Sequence, residues 1–143
     1  MICLAPLGGV YQAGTFSGNP VVMSAGLATL KNLDRLFYQR LNSLSENFAD
    51  TLNRRFLEHQ IPASLSHYKS MMSLRFNTQT IRHYTDARHA SSPEKYAQLF
   101  QMLLQNGIYW PLADLEAFFV SGAHTQKELE DLSIQLKEFF ENT

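Results

Sequence analysis

Apolar residues recur at spacings of three and four along three stretches of the chain. Phe37, Leu41, Leu44, Phe48, Leu52 and Phe56 form one stripe, and Arg40, Glu46, Asp50 and Arg54 lie on the opposite face. That period is one face of a helix and predicts one from about Arg35 to Leu57, with Asp34 breaking or re-capping the chain before it. Tyr96, Leu99, Phe100, Leu103 and Leu104 make a second stripe. Ser92 is its expected cap, Pro93 suits its first position, and Asn106-Gly107 is its stop signal. Leu129, Leu132, Leu136, Phe139 and Phe140 make the third. This helix is expected to start at Thr125, with Glu128 three residues on completing a capping box.

Between the helical stripes the period drops toward two. Ala63–His67 and Met71–Phe76 read as strands joined by a turn at Tyr68-Lys69-Ser70. Ile108–Trp110, stopped by Pro111, and Ala117–Ser121 read as two more short strands. Arg75 interrupts an otherwise apolar strand and is expected to face solvent, the alternative being that it reaches a partner. Residues 77–92 are polar and aperiodic and read as a long loop of the kind that is functional or mobile. The order helix, helix, strands, helix, strands, helix predicts an α+β fold, with helices covering one face of a small, mostly antiparallel sheet.

The first eighteen residues are irregular, punctuated by Pro6, Gly8, Gly9, Gly14 and Gly18. Asn19 as cap and Pro20 at the first position then predict a helix to about Leu33. Ala25, Gly26 and Ala28 make that helix thin enough for a second backbone to approach closely. The stretch Tyr11-Gln12-Ala13-Gly14-Thr15-Phe16-Ser17-Gly18-Asn19-Pro20 packs glycines and hydroxyls into a turn at a helix start. Such a turn is either a plain helix cap or a cradle for a phosphate, because the first turn of a helix exposes N–H groups and a positive dipole end.

Composition narrows the function classes. The 143 residues suffice for one domain with a real core, and only 17% are charged. A net charge of -1 argues against nucleic acid or an anionic membrane as partner. Cys3 is the single cysteine, so no intrachain disulfide is expected, which fits a reducing compartment. The apolar start Met1–Pro6 is too short for a signal-peptide core, and the chain reads as soluble and cytoplasmic. The five histidines (His59, His67, His83, His89, His124) show no metal-ligand spacing, so no metal site is expected. No nucleophile elbow, Walker loop or dinucleotide fingerprint is present. Lys31, Lys69, Lys95, Lys127 and Lys137 all read as solvated charges.

The string from Tyr11 to Pro20, followed by Ala25-Gly26-Leu27-Ala28-Thr29-Leu30, closely resembles the glutamate-1-semialdehyde 2,1-aminomutases, which belong with the class III aminotransferases. Ser70-Met71, Tyr84-x-Asp86-Ala87, Asn106-Gly107-Ile108-Tyr109, Glu116-Ala117, Phe119-Val120-Ser121 and Ala123-His124-Thr125 resemble further family segments in the same order. The resemblance spans nearly the whole chain but only the C-terminal third of the family. It implies the C-terminal small domain of a fold-type-I enzyme that uses pyridoxal phosphate (PLP). In the complete enzyme the implied reaction converts glutamate-1-semialdehyde to 5-aminolevulinate, a tetrapyrrole precursor. The family's catalytic lysine lies upstream of the matching segment, so no catalytic residue is expected in this chain, and a fragment inactive by itself is the expectation. The alternatives are a non-catalytic interaction or dimerisation domain, and a fragment of another class III aminotransferase.

By the same resemblance Gly14 and Thr15 would contact the PLP phosphate of the neighbouring subunit, in a site shared across a dimer. Glu116 would lie at the substrate end, paired with an arginine from the missing N-terminal part. Residues 1–33 would bridge to the large domain and dimer interface, and residues 34–143 would form the C-terminal α+β domain. With the large domain missing, the first segment is expected to self-associate, and no PLP is expected to be bound. The chain also departs from the pattern. Gly9 replaces a common proline, Lys69 stands where the family has glycine, and Arg75 stands in an apolar strand. Pro111-Leu112-Ala113-Asp114-Leu115 replaces a loop that usually reads Ala-Pro-Ser-x-Phe. These departures bear on the substrate side more than on the fold.

Overall fold

The computed structural model describes residues 2–11 and 13–142; Gln12 of the turn motif lies outside them. The chain divides into two compact units, Met1–Phe37 and Tyr38–Thr143.

In the first unit, residues 3–10 close on themselves. Val10 N–H donates to the Cys3 carbonyl, Ala5 N–H to that of Val10, and Leu4 and Val10 form an isolated bridge. Gly8 lies against the Cys3 backbone so closely that a Cβ there would collide with it. Helix α1 runs Pro20–Asn32, as the Asn19-Pro20 signal predicts. None of its residues is buried, and Val21, Met23, Leu27 and Leu30 stand exposed. Gly26 has open space where its side chain would be, with no described atom within 4 Å.

The second unit carries the core. Helix α2 (Arg35–Glu58) begins where Asp34 Oδ1 accepts from Phe37 N–H at 2.7 Å, a re-capping as anticipated. Its stripe buries Phe48, Leu52 and Phe56. Strands β1 (Ser64–Tyr68) and β2 (Met71–Arg75) form a hairpin in which Leu65 pairs with Leu74 and His67 with Met72. Asn53 of α2 docks on β1 by offering its carbonyl to Leu65 N–H and its amide to Leu65 O, at 2.8 and 2.9 Å. Helix α3 (Tyr84–His89) lies inside the stretch expected to be loop. It has no apolar stripe to announce it; Asp86 caps it by accepting the Arg82 and His83 N–H groups, while Ala87 and Ala90 are buried.

Helix α4 (Pro93–Gln105) ends as its Asn-Gly signal predicts. Gly107 takes φ +80°, its N–H bonds Leu104 O and Ile108 N–H bonds Leu103 O, a Schellman closure. That closure explains why the strand expected at Ile108–Trp110 does not form. Ile108 has spent its N–H on the cap and Pro111 has none, so too few donors remain for a ladder. Trp110 instead packs against Phe118, ring centroids 4.3 Å apart. The strand expected over Ala117–Ser121 shrinks to β3 (Phe118–Phe119), antiparallel to β2 in the order β1-β2-β3. Helix α5 (Gln126–Glu141) starts with the anticipated capping box: Thr125 Oγ1 accepts from Glu128 N–H and Glu128 returns a bond to Thr125 N–H.

Alternation along β2 turns Met72 and Leu74 toward α2, α4 and α5, where they join Leu52, Phe56, Leu99, Leu103 and Leu136 in one core. Arg55 of α2 bonds both Glu130 and Ser133 of α5. The α+β architecture, with helices on one face of an antiparallel sheet, is therefore as anticipated. Leu136→Ala, which empties a fully buried position, is expected to cost roughly 2–5 kcal/mol of stability. Lys69, at the hairpin turn, takes φ +54°, a left-handed conformation that favours glycine. Lys69→Gly is expected to raise the urea midpoint, with a gain of about 0.5–1 kcal/mol; a lower midpoint would refute strain at this turn.

Candidate functional site

The turn ahead of α1 is built by two consecutive bonds, Ser17 N–H to Gly14 O at 3.0 Å and Asn19 N–H to Phe16 O at 3.1 Å. Gly18 takes φ +74° to make the second. Gly14 faces Ser17 Oγ so closely that a Cβ would push the hydroxyl aside. Asn19 Oδ1 then accepts from both Val21 and Val22 N–H, at 3.0 and 3.3 Å. The helix start therefore spends its own donors, and the plain-cap reading describes α1 itself. The donors left over belong to the turn. Thr15 is exposed, and among the described residues neither its N–H nor its hydroxyl has a partner.

Glu116 is exposed and closes a turn of its own. Its N–H bonds Ala113 O at 3.0 Å and its Oε2 accepts from Ala113 N–H at 3.3 Å. Gly14 and Thr15 lie in the first unit and Glu116 in the second.

Sequence reasoning missed a buried polar node next to Glu116. Arg75, expected at the surface, is 5% exposed. It points off the core face of β2, but the segment 111–116 lies over it. Its Nη1 donates to Asp114 O at 2.6 Å and to Leu74 O at 2.8 Å, and lies 3.7 Å from Asp114 Oδ1. Asp114 Oδ2 accepts from Ser91 Oγ at 2.6 Å and Ser92 N–H at 2.7 Å. Ser92 thus precedes α4 without its hydroxyl making the expected cap bond; the Asp114 carboxylate engages its N–H instead. At the far end of the segment, Tyr96 donates to Pro111 O at 2.8 Å. Burial first, then the nearby Asp114 and Glu116 charges, push the Tyr96 phenol from the usual 10.0 up to about 12. The available signal was a pair of oppositely charged residues, each out of keeping with its setting: Arg75 in an apolar strand and Asp114 in an altered loop.

The largest described cleft, about 610 Å³, is lined by Trp110, Phe118, Val120, His124, Glu128 and Leu132 and by none of the anticipated site residues. His124 accepts from Ser121 N–H through Nδ1 at 2.9 Å, a local turn bond. Among the described residues no group of His, Cys, Asp or Glu side chains is placed to hold a metal ion. Among the described residues no helix is long and apolar enough to cross a membrane.

No family model matches the chain. Curated relatives match nearly all of it. Glutamate-1-semialdehyde 2,1-aminomutase 2 of Lachnoclostridium phytofermentans is 38% identical over 141 residues, 97% of this chain and 33% of the relative. The aminomutase of Methanocaldococcus jannaschii is 36% identical over 137 residues, 96% and 32% respectively. The chain belongs to the glutamate-1-semialdehyde 2,1-aminomutase family. It spans about a third of the length of the curated relatives it matches. A Pseudomonas aeruginosa glutamate-1-semialdehyde aminomutase, solved in complex with PMP, superposes on 92% of the chain and 30% of its own length. The TM-score is 0.77 and the identity 20%. A transaminase solved with PLP bound gives a TM-score of 0.69 over 94% of the chain and 30% of its own, also at 20% identity. The fold is that of part of a PLP aminotransferase.

The residues present fit such a cofactor only in part. The Thr15 turn offers uncovered donors of the kind a phosphate takes. No lysine lines any of the five described clefts, and Lys137 is spent on Glu141 at 3.6 Å. No chemical step is therefore assigned to the described residues.

The raised Tyr96 phenol has a pH consequence. Its folded value lies above the unfolded one, so the folded state holds the proton longer, and stability falls as pH rises from about 10 toward about 12. Tyr96→Phe is expected to flatten this part of the stability–pH curve in denaturant titrations; an unchanged slope would count against the burial of the phenol.

Proposed function

We propose that the chain acts as the C-terminal third of a glutamate-1-semialdehyde 2,1-aminomutase, taking part in the PLP-dependent conversion of glutamate-1-semialdehyde to 5-aminolevulinate, and that alone it is inactive. The observation that carries this reading is the match of 97% of the chain to 33% of a named aminomutase. In this reading Thr15, through its N–H and hydroxyl, and Gly14, by leaving room, meet the cofactor phosphate of a neighbouring subunit. Glu116 sits at the substrate end, its carboxylate held by Ala113 N–H and facing an arginine from the rest of the enzyme. Residues 1–33 pack on the large domain and the dimer partner, and the setting is the cytoplasm. Supporting this is the exposure of Ile2, Leu7, Val21 and Leu30 at 83, 82, 77 and 67%, since apolar patches of this kind commonly mark interfaces.

Co-expression with the remaining two thirds of the Lachnoclostridium relative tests the proposal. We expect 5-aminolevulinate formation only when both pieces are present. Association with no activity at any ratio would favour a non-catalytic interaction domain. Alone, the chain mixed with PLP and then desalted is expected to keep no stoichiometric cofactor. Retention abolished by replacing one of its lysines would overturn the inactive-fragment reading. Sedimentation over a concentration series is expected to show self-association of the full chain and a folded monomer once residues 1–33 are removed, because the described core cluster runs from Leu41 to Phe140. A strictly monomeric full chain would remove the support for an interface there.

A further inference from the structure

We infer that Arg75 is a positioning residue for Glu116, acting through Asp114, its buried partner. The inference rests on the reading of residues 111–116 as the substrate-side segment.

Three groups of contacts carry it. Arg75 reaches across 39 residues of sequence to the Asp114 carbonyl at 2.6 Å, while Asp114 Oδ1 stands 3.7 Å from the same nitrogen. Both side chains are 6% exposed, so the pair is desolvated and strongly dependent on each partner. Asp114 Oδ2 ties the same residue to Ser91 and Ser92 at the start of α4. The Asp114 backbone is therefore pinned from β2 on one side and from α4 on the other. Ala113, the preceding residue, is the one whose N–H and carbonyl bond the Glu116 carboxylate and N–H. The placement of Glu116 is thus inherited from Ala113, and that of Ala113 from Asp114. The Arg75 guanidinium also cancels the Asp114 charge, so the pair adds no net charge beside Glu116. Either residue alone would be a buried, uncompensated ion in a small domain, costly enough that the two belong together.

Amide hydrogen exchange on the whole chain tests this without cofactor. In Arg75→Met the Ala113 and Glu116 amides are expected to exchange at least about tenfold faster while Leu65 in β1 and Leu136 in α5 stay as protected as before. Arg75→Lys, which keeps a cation and one donor toward Asp114 O, is expected to recover part of the protection. Unchanged exchange at Ala113 and Glu116 refutes positioning. An equal rise at all four amides shows Arg75 to be a general stabiliser and refutes it too. Should Arg75→Met not fold, Asp114→Asn, which removes the charge facing Arg75 and leaves the carbonyl contact, is read at the same four amides, with a smaller rise expected at Ala113 and Glu116; no rise there refutes the inference. A second readout separates this inference from the functional proposal beneath it. In the two-piece enzyme, Arg75→Met is expected to raise KM more than it lowers kcat. Local loosening with both constants unchanged would remove residues 111–116 from the substrate side and leave the exchange result standing.

Discussion

A three-stranded sheet with a two-residue edge strand cannot bury its own faces. Everything in the second unit follows from how the two faces of β2 are covered. The face carrying Met72 and Leu74 is met by the stripes of α2, α4 and α5, and the apolar area they remove from water together drives folding. The hairpin is anchored to that layer at its outer strand by Asn53, whose side chain imitates a neighbouring strand toward Leu65. The other face carries Met71, Ser73 and Arg75. At its far end the chain lays residues 111–116 over Arg75, and a polar side chain becomes interior because the cover is itself backbone with carbonyls to satisfy.

Two departures from the family wording, Lys69 and Arg75, lie at the two ends of β2. Arg75 and Asp114 share a buried contact, and Lys69 occupies the turn that joins β1 to β2 in a left-handed conformation. The near end of the face that carries Arg75 presents Tyr68, Met71 and Phe119 to solvent. In the first unit the start of α1 is capped from within, while its apolar side chains are exposed. A domain this size can complete its hydrogen bonds locally and still leave apolar surface for which it has no layer.

Helix limits and caps were legible because their causes are local. Asn19-Pro20, Asp34, Asn106-Gly107 and Thr125 with Glu128 each act within a few residues of themselves, and a stripe of period 3.6 needs no knowledge of its partner. The motif strings likewise carried the family, since they depend on order along the chain alone. Helix α3 escaped because it is six residues with no stripe, held by a single aspartate.

What the tertiary structure alone decided concerns pairs far apart in sequence. Whether Arg75 meets water or Asp114 depends on a segment 39 residues later. Whether Ser92 caps α4 with its hydroxyl depends on the arrival of a carboxylate at its N–H. Whether Ile108–Trp110 can be a strand depends on donors already taken by a helix end. Sequence by itself determines which groups need burial or a hydrogen bond; which group answers that need is settled only when the chain brings distant segments within about 3 Å of one another.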